Sequence, residues 1–166
     1  MRFTIGVDIS KKTIDIDNIE LTLTFFDTAG QEKYQSITRS YYKGAGACLL
    51  VYDLTQRQTF EDLEKWRNQL MECVGHEIPI VVIGNKTDIF QQREVATEDG
   101  EQYARKHGFF FIETSCSNGN NVNEAIDIII KQLVQQKQEL IETQKGNDGN
   151  VSIQKPQLEE EKNGCC

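Results

Sequence analysis

Apolar and polar residues alternate in the first part of the chain. Ile5, Val7 and Ile9 keep a period of two, as do Ile14 and Ile16, and Leu21, Leu23 and Phe25 resume it. That period marks a half-buried strand. Asp17-Asn18 stands between the runs, where a tight hairpin needs positive φ and Asn tolerates it. The pattern predicts an antiparallel hairpin over Gly6 to Asp27.

After a polar, Gly-containing stretch from Thr28 to Ser40 the pattern changes. Ala45 to Asp53, Pro79 to Gly84 and Phe109 to Glu113 are short apolar runs, which read as strands buried on both faces. Helical spacing fills the intervals. Phe60, Leu63, Trp66, Leu70 and Val74 follow an expected N-cap at Thr59, with Asp62 three residues on. Thr97 is the expected cap of another helix, with Glu98 and Asp99 in its first turn and Gly108 as its stop. Asn121 with Glu124 opens the last helix, striped by Val122, Ala125, Ile126, Ile129 and Leu133. From about Thr143 the chain turns polar and is expected to be a disordered tail. The expected organisation is a domain over 1–142 and a flexible tail over 143–166.

Strand–helix alternation with apolar strands predicts an α/β fold: an open, mostly parallel sheet with helices on both faces. Ligands in such sheets bind beyond the carboxyl ends of the strands. Those ends are Asp27-Thr28-Ala29-Gly30, Asp53, Asn85-Lys86-Thr87-Asp88 and Thr114-Ser115-Cys116.

Length and charge narrow the classes. The 166 residues suit one domain with a short appendage. Eighteen basic against 26 acidic residues give a net charge of −8, with no basic patch for a nucleic acid. No apolar run reaches the ~18 residues of a membrane span. Met1-Arg2-Phe3-Thr4 lacks the apolar core of a signal peptide. The five cysteines suggest neither a zinc site nor a disulfide framework, so a reducing cytosolic compartment is expected. His76 and His107 read as surface residues without a metal role.

Three strand ends carry chemistry. An Asp such as Asp27 commonly holds nucleotide-bound Mg²⁺, a following Gly such as Gly30 lets a backbone N–H approach a phosphate, and Gln31 could orient a water. A carboxylate at Asp88 can accept from guanine N1–H and N2–H₂, donors that adenine lacks. Asn85 can bridge loops, and the Lys86 stem can lie along a base face. Backbone N–H groups of Thr114-Ser115-Cys116-Ser117 could reach guanine O6. Taken singly, each segment is also an ordinary polar turn or loop cap.

Together, in order, they resemble the Ras-like small GTPases, and within them the Rab family. The matching segments are TIGVD at Thr4, DTAGQE at Asp27, YYKGA at Tyr41, LLVYDLT at Leu49, GNKTD at Gly84 and ETS at Glu113. The resemblance implies a Ras-like P-loop NTPase fold, GTP/GDP and Mg²⁺ as ligands, and a switch in vesicle transport. Thr4 would ligate Mg²⁺ and sense the γ-phosphate, and Asp27 would hold Mg²⁺ through water. Gly30 would donate to the γ-phosphate, and Gln31 would position the hydrolytic water. Asn85, Lys86 and Asp88 would read guanine, with Ser115, Cys116 and Ser117 closing the pocket. Ile5 to Ile9 and Gln31 to Tyr42 would be the switches, meeting effectors, an exchange factor and an activating protein. Phe26 stands where Rab proteins usually have Trp, Cys116 replaces Ala, and Ser117 replaces Lys.

The family's G-x-x-x-x-G-K-[ST] does not occur in these residues. The resemblance places it before Thr4, together with a strand and a helix, so an N-terminally truncated domain is expected. Five charge-assisted bonds from that loop would be worth ~7–15 kcal/mol. At ~1.4 kcal/mol per tenfold, the chain as written is expected to lose at least ~10⁵ in GTP affinity.

Cys165-Cys166 ends the tail. With the Rab resemblance the pair implies dual geranylgeranylation by prenylation machinery, and anchoring on the cytoplasmic face of endomembranes. Two alternatives remain open: a membrane-tethered, effector-binding module without GTP hydrolysis, and an unstable fragment of an incomplete gene model.

Overall fold

The computed structural model describes residues 7–16, 19–28 and 35–147. The chain divides into two units, Met1–Leu133 and Val134–Cys166.

In the first unit the expected hairpin is present. Strands β1 (Val7–Ile16) and β2 (Ile19–Thr28) pair antiparallel, with Ile9 opposite Phe26 and Ile14 opposite Leu21. The polar stretch that followed holds an unanticipated helix, α1 (Gln35–Tyr42). Its last turn presents Tyr41 and Tyr42, and α1 packs on the later helix α3 (Leu63–Val74). The segment is too short and polar for a clear stripe, so packing decides it.

The parallel sheet has the order β3 (Cys48–Asp53), β4 (Ile80–Asn85), β5 (Phe110–Thr114). The hairpin forms its own sheet, so the described strands make two sheets and not one. Only β4 matches the expectation of burial on both faces. It is the central strand, and Ile80 to Ile83 are all buried. The flanking strands are edges of this sheet: Val51 on β3 is 52% exposed and Phe110 on β5 is 45% exposed.

The helix expected from Thr59 is two segments, α2 (Arg57–Glu61) and α3, broken at Asp62. Thr59 lies inside α2, capped by Gln56. Its hydroxyl donates to the Gln56 carbonyl at 2.7 Å and accepts the Asp53 N–H at 2.9 Å. Leu63, Leu70 and Val74 of α3 join Leu50, Tyr52 and Val82 in the core. Helix α4 (Thr97–His107) begins one residue earlier than expected, with Ala96 and not Thr97 as its cap. Gly108 ends it at φ 71°, a left-handed geometry that glycine adopts without a Cβ penalty.

Helix α5 (Val122–Asn147) begins after Asn121, as the pattern required, and ends past the expected boundary at Thr143. In the second unit, Gln135 donates to Glu139 at 3.2 Å, one turn away. No helix among the described residues is long and apolar enough to cross a membrane.

Candidate guanine-recognition site

Parallel pairing brings three strand ends to one edge. Asp53 is the register partner of Asn85, and Asn85 is the partner of Thr114. The loops expected to carry chemistry therefore leave the sheet side by side.

Asn85 joins two of them. Its side-chain oxygen accepts the Thr114 hydroxyl at 3.3 Å and the Cys116 N–H at 3.2 Å. The Asn85 carbonyl accepts the Leu54 N–H at 2.9 Å, which ties in the third. Lys86 then turns the chain with φ 77°. A side-chain-bearing residue there costs ~1–2 kcal/mol. The turn starts a 3₁₀ helix over Thr87–Gln92, which sets Asp88 at the surface.

Ser115 fixes Asp88. It is fully buried, and its hydroxyl donates to Asp88 Oδ1 at 2.5 Å. The Ser115 hydroxyl oxygen accepts the N–H groups of Ser117 at 3.2 Å and Asn118 at 3.4 Å. Among the described residues Asp88 Oδ2 has no partner. An exposed carboxylate locked through one oxygen and open at the other suits adjacent N–H donors on a planar base. The residues present thus fit a guanine edge.

The strand before this loop is braced. Arg93 grips Glu113 through both carboxylate oxygens, at 2.7 and 2.8 Å, and the Thr97 hydroxyl donates to Oε1 at 2.9 Å. The Arg93 bond, acting against burial and helped by Thr97, holds the Glu113 carboxyl below the usual glutamate range. Asn121, at φ 56°, donates from Nδ2 to the Glu113 carbonyl at 2.9 Å. Sequence reading missed this brace, because neither periodicity nor motif order pairs residues 93 and 113.

The other expected site residues are distributed differently. Asp27 lies on β2 of the hairpin sheet, opposite Asp8. Thr4, Gly30, Gln31, Cys165 and Cys166 lie outside the described residues. Among the described residues no group of three acidic, His or Cys side chains forms a metal cage. His107 corrects an expectation: at the end of α4, its side chain is only 11% exposed, beside Glu64 of α3.

Comparison with known proteins identifies the family. The Ras family model matches residues 1–135. The Ras-related protein Rab-11B of Dictyostelium discoideum is 49% identical over 124 residues, which cover 75% of this chain and 56% of that protein. The Ras-related protein RABA4a of Arabidopsis thaliana is 39% identical over 149 residues, covering 89% of this chain and 66% of that protein. The chain spans less than two thirds of the length of either relative. It belongs to the Ras family, and both relatives bear out its Rab resemblance.

Proposed function

We propose that this Ras-family chain is part of a Rab-type GTP/GDP switch in vesicle transport. The observation that carries the reading is the Ser115-locked Asp88 beside Asn85 at the carboxyl edge of three parallel strands. In this reading Asp88 takes the guanine edge, Asn85 holds the loops together, and Lys86 covers a base face. Ser115, Cys116 and Ser117 close the pocket, with Cys116 and Ser117 contributing through the backbone. The Rab resemblance adds Thr4 and Asp27 for Mg²⁺, Gly30 for the γ-phosphate and Gln31 for the attacking water. It also adds lipid attachment at Cys165 and Cys166, with endomembranes as the site of action.

Effectors and regulators would meet Ile5 to Ile9 and Gln31 to Tyr42. One observation supports a docking surface there. Ile9 and Phe26 are cross-strand partners, 50% and 44% exposed, and the Tyr41 ring lies 5.2 Å from Phe26. The same patch suits the second reading, a tethered effector-binding module without hydrolysis.

Saturation-transfer NMR with millimolar guanosine and adenosine tests base recognition, because it detects weak binding. Transfer to guanosine and not adenosine is expected. Asp88→Asn should abolish it, and should favour xanthosine, whose O2 acceptor meets the new amide donor. Equal transfer to both purines, unaffected by Asp88→Asn, would overturn the nucleotide reading.

A further inference from the structure

Asp53 ends β3 in a place that the proposed guanine reading does not use. Its carboxylate is held on both sides. Oδ1 accepts the Thr55 N–H at 2.8 Å and the Thr55 hydroxyl at 2.7 Å. Oδ2 lies 2.5 Å from the Lys86 ammonium. The Asp53 and Lys86 side chains are 13% and 24% exposed, so solvent screens the pair only partly.

The pair acts on a backbone that is unfavourable by itself. Lys86 sits in the left-handed region, and its side chain could leave that turn in several directions. Asp53 selects one of them. Thr55 prevents the carboxylate from rotating away, and Leu54 N–H to Asn85 carbonyl keeps the loops in register. A carboxylate fixed twice therefore fixes a flexible four-carbon stem, which removes rotamer entropy before any ligand arrives.

We infer that Asp53 is a positioning residue for base recognition: it anchors the Lys86 ammonium so that the stem lies ready along the face of a bound guanine. The inference rests on the proposed guanine reading. Asp53 touches no base in this scheme and works through Lys86. Its effect is insensitive to the base edge, because a stem packed on a ring face does not distinguish edge substituents. Asp88 supplies that discrimination. The charge state is consistent: burial pushes the Asp53 carboxyl up, but hydrogen bonds from Lys86 and Thr55 outweigh it and hold the group below the usual aspartate range.

The test is a double-mutant cycle on the full 166-residue chain, with guanosine and inosine affinities from NMR titration. Asp53→Asn keeps an oxygen for Thr55 and removes the charge. It should weaken both nucleosides by a common factor of about tenfold, equal to ~1.4 kcal/mol. Lys86→Met should do the same, and the double variant should be no weaker than Lys86→Met alone. The Lys86 ammonium resonance, slowed in exchange by its anchor, should be lost in Asp53→Asn. Additive losses, or unchanged affinity in Asp53→Asn, would overturn the inference while leaving base recognition intact. If wild type itself shows no Asp88-dependent guanosine binding, the guanine reading fails first, and the inference with it. Should Asp53→Asn unfold, Thr55→Val, which removes the hydroxyl donor and leaves the backbone N–H and the Lys86 pair, replaces it, with a smaller loss common to both nucleosides expected; a loss confined to one nucleoside would overturn the inference.

Discussion

The guanidinium of Arg93 meets the carboxylate of Glu113 as a two-bonded fork, at 2.7 and 2.8 Å, directly before the loop that locks Asp88. Arg93 follows the 3₁₀ helix that carries Asp88, and Glu113 precedes Thr114 and Ser115. One ion pair therefore ties both halves of the candidate base site.

Arg93→Ala should destabilise the domain by ~1.5–3 kcal/mol, because it leaves Glu113 with only its Thr97 donor. The pH dependence follows from Glu113, whose carboxyl lies below its ordinary 4.5 in the fold. A lowered carboxylate contributes stability that is present above that ordinary value and lost as pH falls through the folded one. Urea midpoints from pH 6 to 3 should fall in wild type, and fall less in Arg93→Ala. Parallel curves would contradict the pairing.

Ser115→Ala removes one donor to Asp88 and the acceptor of two backbone N–H groups. The expected cost is ~1–3 kcal/mol of stability. On the guanine reading, guanosine transfer should weaken more than stability alone explains, because Asp88 is freed to rotate. Ser115→Thr, which keeps the hydroxyl, separates lost bonding from lost packing.

Tyr52 occupies space made by two glycines. A Cβ at Gly100 would lie 2.5 Å from the Tyr52 hydroxyl, and one at Gly84 would lie 2.9 Å from it. Gly100→Ala is therefore expected to cost ~1–3 kcal/mol by overpacking, read from denaturant midpoints. The hydroxyl itself is buried, with no hydrogen-bond partner among the described residues. Tyr52→Phe should thus be neutral or stabilising, and the pair Tyr52→Phe/Gly100→Ala should recover part of the loss. A large loss in Tyr52→Phe would mean that a bound water satisfies the hydroxyl.

His107 predicts a second, higher pH step. Its ring lies between Tyr103 and Phe109, 4.8 and 5.5 Å away. Nε2 is 3.3 Å from Glu64 but not in hydrogen-bond alignment. Burial lowers its pKa from 6.5; Arg67 and Lys106 add to this, and Glu64 opposes it. Stability should be full above 6.5 and decline as pH falls from there through the folded value. His107→Gln should remove that decline while leaving the carboxylate step below pH 4.5. Identical profiles for the two proteins would refute the assignment.

Much of this molecule was legible without its coordinates, because its signals are local. A period of two placed the hairpin, apolar runs placed β3, β4 and β5, and Gly108 ended α4. Motif order also exposed the base loops, because strand ends in a parallel sheet converge by geometry. Thr59 and Thr97 are not caps in the fold, because their hydroxyls answer distant partners, Asp53 and Glu113.

Sequence by itself determined which segments are strands, which loops carry chemistry, and the Ras-family membership that motif order expresses. Tertiary structure alone decided the partners: Arg93 with Glu113, Lys86 with Asp53, Ser115 with Asp88, and His107 half-buried beside Glu64. It also decided that α1 forms in a polar stretch and that β3 leaves Val51 exposed. The physical reason is range. Propensity and periodicity act over a few neighbouring residues, whereas an ion pair, a burial or a sheet edge depends on which distant segments the fold sets side by side.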